Sequence, residues 1–266
     1  MTNRITGYPQ PDPLFMWRVP PSAPHERPLL VFKPWIDAGI VHGMVGQGYD
    51  FVGNGASEIA RLGRTCGFSE LAIPAQYHGS DLVDLRTAEA LGHSRASSGT
   101  LFRSTAGDAV ATESDRGIGI GVYTADCLPI IVRIGSTWCC IHAGWKGLAN
   151  GIIEKTLVAL RLPLAGAEAV IFACAGPDAY EVGDEVIEQV GPTANSRAST
   201  EGRHLLDLAG TAVNQLKSLD SQLSIYSASV CTIRTAHLQS YRRDGSASGR
   251  NLTFVASTAA MSDVTI

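Results

Sequence analysis

Three short apolar runs, Ile118–Tyr123, Leu128–Ile134 and Trp138–Ile141, follow one another near the middle of the chain with only turn-forming residues between them. Runs of this length, rich in β-branched residues, predict three consecutive strands and so a sheet at the centre of the fold. The periodicity then changes. Ile153, Leu157 and Leu160 recur at helical spacing, predicting a helix from about Leu148 to Leu160, and Leu208, Ala212, Leu216 and Leu219 mark another apolar helix stripe. Ala56–Gly67 and Asp184–Val190 read as further helices, while Leu29–Phe32, Leu71–Ala75, Ala169–Ala173, Leu223–Tyr226 and Leu252–Val255 read as strands. Gly39–Gly55 is rich enough in glycine to predict a loop, as is Asp244–Gly249 with its glycines and serines.

This alternation of strand and helix predicts an α/β (α+β) class. A chain of 266 residues with 45% hydrophobic and 17% charged residues has enough apolar side chains for one large core, so a single domain over 29–266 is expected. Residues 1–28 hold prolines at 9, 11, 13, 20, 21, 24 and 28, which cannot donate backbone hydrogen bonds and predict an extended arm. The formal net charge is −4 and no basic block occurs, so neither nucleic acid nor a membrane surface is an expected partner. No run approaches the roughly 20 apolar residues of a membrane span, and the proline-rich start lacks the apolar core of a secretory signal, so a cytoplasmic protein is expected. Six cysteines without regular spacing do not read as a disulfide framework, which leaves any special cysteine as a ligand or a nucleophile.

The candidate chemistry gathers at strand-to-loop junctions. His78 follows a predicted strand and precedes Gly79, Cys127 lies between two predicted strands, and His142 ends another. Two imidazoles and a thiolate suit zinc, and three protein ligands leave a fourth tetrahedral position for water or substrate. Spacing alone leaves this open, because buried cysteines and histidines are more often plain core residues.

Four strings carry a more specific signal: Tyr123-Thr124-Ala125-Asp126-Cys127-Leu128-Pro129-Ile130, Ile141-His142-Ala143-Gly144-Trp145-Lys146-Gly147, Tyr180-Glu181-Val182-Gly183, and Ser240-Tyr241-Arg242-Arg243-Asp244-Gly245 with Gly249-Arg250. In this order they resemble the signatures of the multicopper polyphenol oxidase, or laccase-domain, family, also called purine nucleoside phosphorylase and peptidoglycan editing factor. The resemblance runs from about Val41 to Val255. It implies a four-layer α/β/β/α stack with mixed sheets, and it maps His78, Cys127 and His142 onto the family's metal ligands, with Zn2+ the expected ion and copper the lesser choice. It also implies a small-molecule substrate. The first reading is a purine nucleoside, with phosphorolysis of adenosine, inosine, guanosine or methylthioadenosine and hydrolytic deamination of adenosine. The alternative is an amidase acting on a peptidoglycan precursor at the same site. A copper polyphenol oxidase and a non-catalytic zinc-binding interaction module are further alternatives. Without metal, Cys127 and His142 could form a nucleophile–base pair.

Catalytic roles fall on Asp126, Cys127 and His142. Asp126 would move protons or orient His142, or else act as an Asx turn cap; Asp108 would orient a ligand histidine, or else begin a strand as a turn residue. Substrate binding falls on His42, Gln47, Lys146, Arg242 and Arg250, the arginines and lysine as anion donors. Gln47 stands in His42-Gly43-Met44-Val45-Gly46-Gln47-Gly48 where the resembled family has arginine. Gly176-Pro177-Asp178-Ala179 joins Tyr180 directly, where many relatives have a longer cysteine-containing segment, so a reshaped pocket rim is expected. His25, His93, His204 and His237 read as surface or core histidines, and Cys139, Cys140, Cys174 and Cys231 as strand residues rather than ligands.

Overall fold

The computed structural model describes residues 5, 7–20, 23–86, 101–102 and 105–256. Two large mixed sheets form its centre. The seven-stranded sheet runs β1 (Phe15–Arg18), β2 (Leu29–Phe32), β3 (Val41–Val45), β16 (Asn251–Ala256), β8 (Gly119–Thr124), β4 (Leu71–Ala72) and β6 (Leu101–Phe102). The six-stranded sheet runs β15 (Ser224–Ser227), β11 (Glu168–Ile171), β9 (Leu128–Ile134), β10 (Thr137–Ala143), β7 (Ala109–Glu113) and β5 (Leu82–Asp84). A small outlying sheet holds β12 (Glu181–Gly183), β14 (Arg203–Leu206) and β13 (Ser196–Ala198). The three central runs of the sequence are thus β8, β9 and β10, but the chain changes sheet between β8 and β9.

Burial explains why both sheets read as continuous apolar runs. Ile120 and Val122 of β8 share one buried cluster with Ile131 of β9, Trp138 and Cys140 of β10 and Val170 of β11, so the two sheets pack face to face. The far face of the six-stranded sheet packs Ile130, Val132, Cys139 and Ile141 against helices α4 (Ile152–Leu160), α5 (Asp184–Val190) and α6 (Leu208–Leu219). The far face of the seven-stranded sheet packs Leu252 and Phe254 against Ile59 and Leu62 of α2 (Gly55–Cys66). A strand covered on both faces has no reason to alternate polar and apolar residues. Among the described residues the remaining helices are the short α1 (Lys33–Asp37), α3 (Trp145–Ala149) and α7 (Tyr241–Asp244). No helix among the described residues is long and apolar enough to cross a membrane.

Several elements differ from expectation. The glycine-rich stretch 39–55 contains β3, because Gly43 supports close strand approach rather than a loop: a Cβ there would meet the Leu30 carbonyl oxygen at 3.2 Å. The helix expected over Leu148–Leu160 is two helices, separated at Gly151, whose φ of 70° is left-handed. Within the proline-rich start, Phe15–Arg18 joins the sheet edge, pairing Phe15 with Phe32 and burying Phe15 and Trp17 between the sheets. Strands β5, β12, β13 and β14 are too short or too polar to have stood out, whereas β7 begins directly after Asp108, where the sequence offered a strand start.

Candidate metal centre

Each candidate ligand is placed by a separate device. Beyond β4, Ala75 makes a single parallel bridge with Ala106, and the Gln76 side chain then pairs with the main chain of β8 as a strand residue would. Its Nε2 donates to the Tyr123 carbonyl at 2.7 Å and its Oε1 accepts from the Tyr123 N–H at 2.7 Å. The loop so fixed carries His78, which adopts a left-handed φ of 64°. Cys127 sits in the crossing from β8 to β9, after Asp126 with φ 90°. His142 lies near the end of β10, where the antiparallel register sets it opposite Pro129 and Ala143 opposite Leu128. Cys127 is therefore carried to the same end of the hairpin as His142.

The ligand atoms of His78, Cys127 and His142 all lie within 4.8 Å of one another, and the imidazole rings stand 4.8 Å apart at 77°. Tetrahedral coordination with bonds of about 2.0–2.3 Å sets ligand atoms roughly 3.3–3.6 Å apart, so the three donors form a group of the size that can hold one ion. The donor chemistry fits as well. Burial pushes the Cys127 thiol up, but the His142 and His78 imidazoles outweigh it by charge and hydrogen bonding and hold the thiol at about 6. Burial pushes His142 down, and Cys127 with Asp108 overcomes it, raising the imidazole to about 9. The two titrate as one thiolate–imidazolium pair, and thiolate is the form that binds metal. Gly144 completes the cradle: a Cβ there would meet the Cys127 sulfur at 2.8 Å.

Asp108, fully buried, underlies both histidines. Its carboxylate accepts from His142 Nδ1 at 2.8 Å and from the backbone N–H groups of Tyr77, His78 and Gly79 at 3.3, 3.0 and 2.6 Å. Burial opposes its charge; the bonds from His142, Gly79 and His78 outweigh that opposition and hold the carboxyl below its ordinary range. The triad opens into a cavity of about 800 Å³. Aromatic rings of Phe51, Tyr77, Trp145, Tyr180 and Tyr241 line it, and so do the cations Lys146, Arg242 and Arg250.

Residues 50–258 match a family model described as multi-copper polyphenol oxidoreductase laccase. The chain belongs to this family. It is 34% identical over 192 residues to the purine nucleoside phosphorylase of Aquifex aeolicus (strain VF5), which covers 71% of this chain and 84% of that relative. To the purine nucleoside phosphorylase YfiH of Escherichia coli (strain K12) it is 31% identical over 187 residues, 68% of this chain and 71% of the relative. Among solved structures, the Neisseria meningitidis protein NMB0706 superposes with a TM-score of 0.66 at 27% identity, over 91% of this chain and 98% of that one. YlmD from Geobacillus stearothermophilus shares the fold with a TM-score of 0.76 at 23% identity, over 92% of this chain and 98% of that chain.

In this laccase-family chain the structure redistributes several of the roles read from sequence. His42 leaves the substrate-binding set. It is buried on β3, its Nε2 accepts from the Phe32 N–H at 2.9 Å and its Nδ1 lies 2.9 Å from the Ile40 carbonyl, while burial pushes its pKa down to about 4. Gln47 does not line the cavity either; its N–H donates to the His237 carbonyl at 3.1 Å. Asp126 lines the cavity but does not orient His142. Its carboxylate accepts from Thr232 Oγ1 and from the Arg242 N–H, each at 2.6 Å, so it anchors α7, and the orienting contact belongs to Asp108. Arg242 lies over the Tyr180 ring at 4.9 Å and donates to the Glu181 carbonyl at 2.7 Å. Arg250 donates to the Gly249 carbonyl at 2.8 Å. Of the remaining histidines, His25 is exposed, His204 bonds Asp184 at 2.6 Å, His237 stacks on Tyr8 at 3.9 Å, and His93 lies outside the described residues. Gln76 was missed because a side chain imitating a strand leaves no mark in hydrophobic periodicity.

Proposed function

We propose that this chain is a zinc-dependent purine nucleoside enzyme, with its ion held by His78, Cys127 and His142. The observation that carries the reading is their convergence at a cavity that aromatic rings, Lys146, Arg242 and Arg250 also line. The names of the relatives point to the same substrate class. When bound, zinc supplies Lewis acidity and activates water near neutral pH. The residues do the rest. Trp145, Tyr180 and Tyr241 offer ring faces to a purine, the three cations offer charge-assisted contacts to phosphate, and Asp126 carries protons beside the reacting atoms. The four-layer α/β/β/α stack that the resemblance implies belongs to the same proposal, and the packing of α2 on one sheet and of the α4–α6 group on the other supports it.

A multi-copper cluster is disfavoured by the donor set. The triad is the one His/Cys group of metal-binding size among the described residues, and His42, His204 and His237 are engaged elsewhere. The deciding experiment incubates zinc-replete protein with adenosine, inosine, guanosine or methylthioadenosine, with and without phosphate, and identifies products by mass spectrometry. Free base with ribose 1-phosphate demonstrates phosphorolysis, and inosine from adenosine demonstrates deamination. No conversion of any of the four removes the purine nucleoside reading.

A further inference from the structure

We propose that Asp108 is the positioning residue of the metal site: one buried carboxylate sets both the ring of His142 and the backbone that carries His78, so that two histidines from distant segments face one point. The proposal rests on reading His78, Cys127 and His142 as ligands. A carboxylate offers about four lone-pair positions, and Asp108 faces four donors from two segments. Oδ1 receives His142 Nδ1 and the His78 N–H; Oδ2 receives the Gly79 and Tyr77 N–H groups. The Asp108 carbonyl also accepts from the His142 N–H at 2.7 Å, which ties the same residue to the main chain of β10.

Two consequences follow from this geometry. When a metal displaces one of the two ring protons of His142, the bond to Asp108 keeps the other on Nδ1, so that Nε2 is the nitrogen turned over to the ion. His78 is kept in a left-handed conformation that only a few per cent of non-glycine residues adopt. Three successive N–H groups converging on an anion are the means of holding it there. An aspartate serving only as a turn cap would need the N–H contacts alone; the bond to a candidate ligand ring is what distinguishes a positioning role.

The test compares the zinc affinity of the purified, metal-free chain with that of Asp108→Asn, by competition with a chromogenic chelator, alongside the melting temperature of both metal-free proteins. Asparagine keeps the shape but cannot accept from all four donors, and zinc should bind about 10–100-fold more weakly, the usual effect of losing such a partner. A lower melting temperature with zinc affinity changed by less than about twofold would mean a purely structural role, and the proposal would be overturned. Should the variant fail to fold, nitrogen-15 NMR of the zinc-loaded wild type decides. His142 protonated on Nδ1 and ligated through Nε2 supports the proposal, and the reverse arrangement overturns it. A wild-type chain that takes up no zinc removes the metal reading itself and this role with it, whereas tight wild-type binding with an indifferent Asp108→Asn removes only the role of Asp108.

Discussion

Gly144 passes so close to Cys127 that a Cβ on the glycine would lie 2.8 Å from the cysteine sulfur. Carbon and sulfur do not approach so closely without a bond, so Gly144→Ala must displace either the sulfur or the start of α3. We expect a folded protein, with unchanged circular dichroism, whose zinc affinity falls by about tenfold or more, in the range of a disturbed ligand. Wild-type affinity in this variant would show that the sulfur has room to spare.

Removing the thiol outright separates ligand from core cysteine. Cys127→Ala should lose the bound zinc, while Cys139→Ala, which alters a fully buried residue facing α4–α6, should retain close to the wild-type content. Metal analysis of both purified variants checks this, and equal retention would sink the assignment.

The thiolate–imidazolium pair has a pH signature. With metal removed, alkylation of Cys127 should accelerate as pH rises through about 6 and then level off, because the thiolate is the reactive form. Substituting His142 with alanine should move that midpoint upward, since the imidazole is the strongest influence opposing burial. A midpoint in the ordinary thiol range for the wild type would contradict the pairing.

His42 predicts an acid limb of stability. Its pKa is depressed from 6.5 to about 4 in the fold, so an unfolded chain takes up the proton first. The stabilisation is complete above pH 6.5 and is lost as pH falls towards 4, by about 3 kcal/mol in all. Urea unfolding against pH should show this slope, and His42→Gln, though less stable at neutrality, should flatten it.

Asp126 is the proposed proton carrier and also holds α7. Asp126→Asn should retain zinc and lower adenosine turnover about 10²–10⁴-fold. Melting temperature is the necessary companion measurement, because the amide disturbs the contacts to Thr232 and Arg242. Full turnover would move the proton role to another group.

What was legible in the sequence depended on how locally each feature is determined. Strands β8, β9 and β10 announced themselves because burial on both faces leaves uninterrupted apolar runs. The approach of Cys127 to His142 was equally local, being fixed by the β9–β10 hairpin register. His78 was different, since nothing near it in the chain says which strand end it will meet, and only the family resemblance connected it to the other two. Adjacency misled at Asp126, where backbone with φ 90° turns the carboxylate towards Thr232 and Arg242 instead of His142. His42 misled for a related reason: a histidine amid glycines resembles a loop residue, yet both ring nitrogens are spent on the backbone between the sheets.

The changes of sheet along the chain carry one more consequence. His78 lies on the passage from β4 to β5 and Cys127 on the passage from β8 to β9, each leaving the seven-stranded sheet for the six-stranded one. An ion gripping both passages would act as a rivet through the two halves of the molecule, and its occupancy would enter the free energy of global unfolding rather than of a loop. At a thousandfold excess over the dissociation constant that linkage is worth about 4 kcal/mol, and amide exchange should then slow in both sheets together rather than in either alone.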